Sequence, residues 1–206
     1  YVWDVLEQLK LPTVLINGVS DHAVSTCNVE NVGMAKTLTE HLLSLGHQRI
    51  WMYTNIHVHK HYSVAERESG YMQAMSEAGL AKQIKSSHLE FDAFVAELVH
   101  AEQRPTAVVV YQHLEAVRLL QAFWRVGIKV PEDISVATFN NAYPVEHVIP
   151  PLTTMRLPNE QIGSQAARTL LEMIDHPTTD ATTTQDISRF DDWELIVRES
   201  TGPVTK

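Results

Sequence analysis

The chain has 206 residues, of which 44% are hydrophobic, enough to form one large or two small folded domains. Its formal net charge of −9 at pH 7 argues against nucleic-acid binding by this segment, because neutralising phosphate groups requires a basic surface. No apolar run is long enough to span a bilayer, and the single cysteine, Cys27, excludes an internal disulfide.

The pattern of apolar residues predicts strands and helices that alternate along the chain, which is typical of an α/β fold with parallel sheets. In chain order, the predicted elements are a helix at Val2–Leu9, a strand at Thr13–Ile16, a helix at Asn31–Leu45, a strand at Arg49–Thr54, a helix at Ser63–Ala78, a weak strand at Ile84–Leu89, a helix at Asp92–Ala101, a strand at Thr106–Val110, an amphipathic helix, a strand at Ile134–Phe139, a helix at Asn159–Ile174 and a strand at Trp193–Arg198. The polar tract HPTTDATTTQD, before the last strand, predicts a surface loop.

The segment from Pro105 to Arg156 has the most informative pattern. Two short apolar runs, Thr106–Val110 and Ile134–Phe139, flank one amphipathic helix. Parallel strands need such a crossover, so the segment predicts a βαβ unit. We expect Trp124, which lies within the helical pattern, to pack in the core.

Four stretches of the chain can be compared with known families. They are VENVGMAKTLTEHLLSLGHQRI (29–50), AERESGYMQAMSEAGL (65–80), the segment from Pro105 to Arg156 and LIVRESTGP (195–203). A short piece such as LGHxRI or PPLTT is a weak signal by itself. Together, in this order and at these distances, the stretches resemble the effector-binding core of the lactose-repressor/galactose-repressor family of bacterial transcription regulators.

This resemblance implies a two-lobed fold of the type I periplasmic-binding-protein kind. Each lobe is a parallel sheet flanked by helices, and effector binds in the cleft between the lobes. Residues 1–46 and 158–188 would form an N-terminal lobe that is incomplete in this chain, and residues 47–157 and 189–206 would form the C-terminal lobe. In the family, operator DNA is bound by an N-terminal helix-turn-helix domain, which is missing from this sequence.

The resemblance also implies a function. The chain is expected to be the effector-binding and dimerisation core of a DNA-binding transcriptional regulator, a repressor that acts as a homodimer. A sugar or sugar-derived effector would shift operator affinity through its different affinities for two lobe arrangements. A periplasmic sugar-binding protein of a transporter shares this fold and is the alternative. The N-terminal stretch YVWDVLEQLKLP does not read as a secretion signal, so we expect a cytoplasmic protein.

Arg67, in the motif ERESGY, matches the cleft arginine of the family, and the resemblance implies that it binds effector. A guanidinium suits this role because its planar fork can bind two hydroxyls, a carboxylate or a phosphate. The alternative is a solvated helix arginine paired with Glu66 or Glu68. Ser63 falls where the family often has a small hydroxyl residue that faces the ligand, or it caps the helix.

Uncharged side chains follow two strands at positions where the family usually has carboxylates. Gln112 and His113 stand in place of Asn-Asp, and Asn140 and Asn141 stand in place of Asp-Asp. Amides and imidazole can still exchange hydrogen bonds with a neutral ligand. The loss of negative charge beside Arg67 makes the cleft more favourable to an anion, so the hypothesis is an anionic effector, such as a sugar phosphate or sugar acid, or altered sensing.

The loop His57-Val-His-Lys-His61 is rich in histidine. In an extended segment these histidines would point to one side, where two could share a Zn²⁺ ion. No nearby cysteine or acid completes a ligand set, so we expect no metal and a solvated loop at the cleft rim, with His61 near the effector. Phe91 lies where the family tends to place an aromatic that covers the ligand ring.

The chain contains no motif of a known enzyme class. It has no GxSxG elbow, no HExxH, no phosphate-cradling loop and no dinucleotide fingerprint. Cys27 lies in a strand-like run without an activating motif. We therefore expect neither catalysis nor a cofactor.

Overall fold

The structure is a computed structural model that describes residues 2–9, 11–22, 24–176 and 187–205. The helices are α1 (Val2–Leu9), α2 (Asn31–Ser44), α3 (Tyr62–Glu77), α4 (Phe91–His100), α5 (His113–Arg125) and α6 (Asn159–Asp175), and a short 3-10 helix lies at Ala81–Gln83. The strands are β1 (Val14–Ile16), β2 (Ser25–Val29), β3 (Ile50–Tyr53), β4 (Lys85–Ser87), β5 (Ala107–Val110), β6 (Ser135–Phe139), β7 (Thr153–Arg156), β8 (Ile187–Phe190) and β9 (Glu194–Ile196).

The chain folds into two compact units, the first from Tyr1–Glu30 with Pro158–Asp192 and the second from Asn31–Leu157 with Trp193–Lys206. The first unit contains a parallel sheet in the order β1-β2-β8, and α6 packs on β1 and β2. Every residue of β2 is buried although its sequence, STCNV, is polar. The Asn28 side chain bonds both the N–H and the carbonyl of Gly18, which compensates for burying its amide.

The second unit contains a six-stranded sheet in the order β4-β3-β5-β6-β7-β9, parallel except for β9, which pairs antiparallel with β7. The runs IWMY in β3 and AVVV in β5 are completely buried because helices cover both faces of the sheet. Side chains of β3, β5 and β6 that include Tyr53, Val110 and Val136 form one apolar cluster with α4 and α5. Alternate residues of the same strands point to the opposite face, which α2 and α3 cover.

The boundaries of the two units differ from the expected lobes. The resemblance placed residues 31–46 in the N-terminal lobe, whereas α2 packs along α3 and also contacts β5 and β7 in the second unit. The closing boundary falls after Asp192 rather than after residue 188, because β8 continues beside β2 to Phe190.

The predicted α/β architecture is confirmed, and one core assignment is wrong. Trp124 is 80% exposed, because the buried stripe of α5 passes through Leu119, Leu120 and Phe123 and leaves the next position on the solvent side. The tract HPTTDATTTQD lies outside the described residues after His176. No described helix combines the length and the apolar character needed to cross a membrane.

Candidate functional site

Polar and aromatic side chains gather where β5 and β6 end. Val110 pairs with Thr138 in the parallel register, so the next residues, Tyr111 and Phe139, are neighbours on the face covered by α3. The carboxyl edge of a parallel sheet is where α/β proteins bind ligands. Arg67, on α3, reaches this edge and contacts both rings.

Arg67 is only 6% exposed. Its guanidinium carbon lies 4.8 Å from the Tyr111 ring centroid and 4.4 Å from that of Phe139, so aromatic faces flank the cation. Nε donates to Asn31 Oδ1 at 3.0 Å, and Nη1 donates to the Tyr111 carbonyl at 3.4 Å. The alternative of a solvated surface arginine paired with Glu66 or Glu68 is therefore wrong.

The positive charge of Arg67 is not balanced by a direct ion pair. Among the described residues, no carboxylate lies within ion-pair distance of its guanidinium. The Glu66 carboxylate accepts instead from Asn31 Nδ2 at 2.9 Å, so an amide separates it from the arginine. Burial lowers the pKa of Arg67 to about 10, against the opposing influence of Tyr111, Tyr62 and Glu66, and the side chain stays cationic at neutral pH.

Three polar side chains form a chain of hydrogen bonds beside Arg67. Ser63, which is 4% exposed, has its Oγ 2.8 Å from Tyr111 Oη and 2.8 Å from His61 Nδ1. His61 is the N-cap of α3 and its ring accepts from the Ser63 N–H at 3.4 Å. The cap is therefore His61 and not Ser63, which leaves the serine hydroxyl at the start of the helix facing Tyr111.

Asn140 and Asn141, which follow β6, differ in the hydrogen bonds of their side-chain oxygens. Asn140 adopts a left-handed backbone with φ of 68°, and its buried Oδ1 has no hydrogen-bond partner among the described residues. Asn141 Oδ1 accepts from Arg198 Nη2 at 2.7 Å, and Nη1 of the same arginine donates to the Leu152 carbonyl at 2.7 Å. Asn141 therefore holds the β6–β7 loop to Arg198, whereas Asn140 keeps an open acceptor.

Gln112 and Phe91 line a pocket of about 410 Å³ at the carboxyl ends of β3, β4 and β5. Gln112 is the N-cap of α5 without a side-chain capping bond. Phe91 is 8% exposed, packs edge-on to Tyr53 and lies under Arg118 at 4.0 Å. His113 is the first residue of α5, where burial lowers its pKa, and it is absent from the pocket lining.

The histidine loop is not extended, so its three rings do not share one side. Residues 56–60 form turns, and His57 pairs with Glu90 at 2.8 Å. The His59 ring contacts the Ile56 carbonyl and lies 5.9 Å from the ring of His88. Within the described ranges, no three histidine, cysteine or acidic side chains are placed to hold a metal ion.

Three residues of this site, Asn31, Tyr111 and Phe139, were not predicted from the sequence. Each lies at the end of a predicted strand or at the start of a predicted helix. At such positions an aromatic or amide side chain is readily explained by core packing or by helix capping. Side chains in a strand alternate between the two faces of the sheet. Counting in steps of two from Val109 and from Ala137 would have placed Tyr111 and Phe139 on the same face of the sheet, opposite α4 and α5.

The chain thus has two α/β units with largely parallel sheets, and a buried arginine lies at the polar carboxyl edge of the larger sheet. A family profile described as the periplasmic binding protein-like domain matches residues 39–201. The chain belongs to this family, in the form found in LacI-family transcription regulators. The resemblance read from the sequence is therefore confirmed.

Three similar proteins illustrate the relationship. The HTH-type transcriptional repressor PurR of Vibrio atlanticus is 35% identical over 142 residues, which cover 66% of this chain and 42% of that protein. The structure of a LacI family transcriptional regulator from Mycobacterium smegmatis has 31% identity and a TM-score of 0.81, and the match covers 99% of this chain and 74% of that one. A LacI family transcriptional regulator from Enterococcus faecium, solved with bound ribose, shares the fold with a TM-score of 0.86 at 22% identity, over 99% of this chain and 75% of that one. This chain spans about half the length of the curated relatives it matches.

Proposed function

We propose that this chain is the effector-binding and dimerisation core of a bacterial LacI-type transcriptional regulator, and that effector binds at the cluster around Arg67. The observation that carries the proposal is the buried cationic side chain of Arg67, which is flanked by two aromatic rings and by the hydroxyls of Ser63 and Tyr111. A fold needs no such arrangement for packing alone, because an apolar side chain would fill the space at less desolvation cost.

The other proposed effector contacts lie along the same sheet edge. His61 orients the Ser63 hydroxyl, Asn140 offers an open acceptor, and Gln112 with Phe91 lines the neighbouring pocket. His113 begins the helix that follows Gln112. We assign Asn141 a supporting role, because its amide oxygen already binds Arg198.

The proposed mechanism is a change of operator affinity in a homodimer that works in the cytoplasm, where DNA is bound by a helix-turn-helix domain outside this segment. The two compact units would be the two lobes of the family fold. The effector alters DNA binding only by its different affinities for two arrangements of the protein. Catalysis has no part in this proposal, and the relatives are regulators rather than transport proteins or enzymes.

The test is a thermal-shift panel on the purified chain with neutral sugars, sugar phosphates, sugar acids and nucleosides. A ligand that binds the native state increases its free energy of unfolding by mass action, by about 2.7 kcal/mol when the ligand concentration is a hundred times the dissociation constant. The melting temperature rises as a result. The shift should be lost in Arg67→Ala and kept in Arg49→Ala, whose arginine is exposed at the amino end of β3. A shift that survives Arg67→Ala would reject this site.

A further inference from the structure

Arg67 carries a buried positive charge that no described carboxylate pairs with directly. The Glu66 carboxylate is separated from it by the Asn31 amide, and Glu90, Asp92 and Glu115 line the neighbouring pocket rather than the Arg67 cluster. An unpaired ion is expensive to remove from water, and proteins pair such ions or bind counter-ions to them. The residues that follow β5 and β6 are Tyr111, Gln112, Asn140 and Asn141, all uncharged. Among the described residues, the guanidinium therefore has no partner of opposite charge within ion-pair distance.

The hydrogen-bonding groups of the site suit an acceptor-rich ligand. Among the described residues the guanidinium makes two hydrogen bonds, one of them at the long distance of 3.4 Å, so further N–H groups of its planar fork can donate to a ligand. The Ser63 hydroxyl donates to His61 Nδ1, and the Tyr111 hydroxyl, 2.8 Å from Ser63 Oγ, can turn from that bond to donate to a ligand oxygen. Ser63 lies in the first turn of α3, a helix of 16 residues whose N-terminal end favours negative charge, and the Tyr111 hydroxyl reaches this end of the helix through its hydrogen bond with Ser63.

Resting on the proposed function above, we propose that the effector of this chain carries a carboxylate or phosphate group, and that this group pairs with Arg67 between the Tyr111 and Phe139 rings. A neutral polyol would satisfy the hydroxyls of Ser63 and Tyr111 but would leave the arginine charge uncompensated. An oxyanion satisfies both, because charge-assisted bidentate pairs with guanidinium are roughly twice as strong as neutral hydrogen bonds.

The experiment is isothermal titration calorimetry with matched ligand pairs that differ only in charge. The probes are ribose and ribose 5-phosphate, and glucose and gluconate, with inorganic phosphate and acetate as minimal anions. The phosphate and carboxylate arms separate the two sources of the charge. We expect the anionic member of at least one pair to bind at least tenfold tighter than the neutral member, and a minimal anion of the same type to compete with it.

Two variants isolate the role of the guanidinium. Arg67→Met should reduce affinity for the anionic probe by about a hundredfold, equivalent to 2.7 kcal/mol at 1.36 kcal/mol per tenfold change, while Arg67→Lys should keep part of the affinity because it keeps the charge without the fork. Circular dichroism and the melting temperature of each variant verify folding.

The outcomes separate this proposal from the proposed function. If a neutral sugar binds as tightly as its anionic partner and needs Arg67, the site is an effector site but the anion proposal is overturned. If no anion, including inorganic phosphate at millimolar concentration, binds in an Arg67-dependent manner, the anion proposal is also overturned. Binding of any probe that is indifferent to Arg67 overturns the proposed site itself.

Discussion

At the scale of single residues, Arg67 should contribute to binding and not to stability. Its buried charge has no ion-pair partner among the described residues, so the methionine variant loses one good hydrogen bond to Asn31 but also an unfavourable desolvation. We expect Arg67→Met to have an unfolding free energy within about 1 kcal/mol of the wild type or above it, measured by urea denaturation without ligand.

Arg198 provides the matched control for this substitution. Both of its terminal nitrogens make 2.7 Å hydrogen bonds, to the Leu152 carbonyl and to Asn141. Arg198→Met should therefore lower the unfolding free energy by about 2–3 kcal/mol. Equal losses in Arg67→Met and Arg198→Met would mean that Arg67 is a structural residue.

His47 should make the stability of the protein depend on pH, because its ring is buried and uncharged. Nδ1 lies 3.0 Å from Thr106 Oγ1, and Nε2 lies 3.0 Å from the Gly202 carbonyl and from Ser135 Oγ. A carbonyl only accepts, so Nε2 holds the proton in the neutral ring. Burial lowers the pKa of His47, with His41 adding to the decrease and the Gly202 hydrogen bond opposing it.

The lowered pKa makes stability depend on pH with a defined sign. Above the ordinary histidine value of about 6.5, neither the folded nor the unfolded chain binds this proton and the full stability is present. As pH falls below that value, the unfolded chain takes up the proton first, so the unfolding free energy decreases, by at most about 1.4 kcal/mol per pH unit for one group. Urea denaturation at pH 7.5, 6.5 and 5.5 should show a shallower decrease of the unfolding free energy in His47→Gln than in the wild type, and an equal decrease in both would contradict this role of His47.

At the scale of elements, the contact between α2 and α3 depends on Gly70. A Cβ atom at this position would lie 2.0 Å from the Val32 carbonyl oxygen and 2.9 Å from the Lys36 nitrogen, both backbone atoms that cannot turn aside. Gly70→Ala should therefore separate the helices and lower the unfolding free energy by about 3 kcal/mol. Chemical denaturation followed by circular dichroism measures the loss.

The same substitution in another helix should have the opposite sign. Gly163, in α6, has no atom within 4 Å of a built Cβ among the described residues and is exposed. Gly163→Ala should raise the unfolding free energy by about 0.5–1 kcal/mol, because alanine restricts the unfolded chain and favours helix. A loss at both glycines would point to helix geometry in general rather than to the close contact at Gly70.

The elements that the sequence predicts are those whose burial matches their composition. β5, with the sequence AVVV, is buried on both faces and reads as a continuous apolar run. β7, with the sequence TTMR, was missed, and β2, with the sequence STCNV, was indicated only by a strand-like run around Cys27, because both sequences are polar despite burial. In β7 the Thr153 hydroxyl bonds the Arg198 carbonyl and Thr201 Oγ1, partners that lie far away in sequence. The contacts of Arg67 with Tyr111 and Phe139 could not be predicted from the sequence either, because contacts between distant residues leave no local sequence pattern.

At the scale of the whole molecule, the chain crosses between its two units three times, after Glu30, Leu157 and Asp192. Periodicity within a segment cannot show which unit it joins, and α2 illustrates this, since its apolar stripe would serve either sheet. What decides is the close contact with α3, which a single glycine permits. The family resemblance predicted an architecture of two units. The placement of α2 in the second unit could be seen only from its packing against α3.

The net charge of the whole chain predicts that this segment does not bind DNA. With 25 acidic and 16 basic residues, the chain has a formal charge of −9, and Arg67, the cation proposed to bind ligand, is buried and cannot reach a phosphate backbone. Electrostatic release of counterions provides most of the affinity of non-specific DNA binding, so this chain should lack it. Fluorescence anisotropy with a labelled 30-base-pair duplex should show no binding at micromolar concentrations of the chain. This should hold between 50 and 200 mM salt, with or without an anionic effector. A basic DNA-binding protein measured on the same duplex is the positive control. Binding that weakens steeply with salt would contradict the assignment of operator recognition to another part of the protein and would require a basic surface that this composition does not provide.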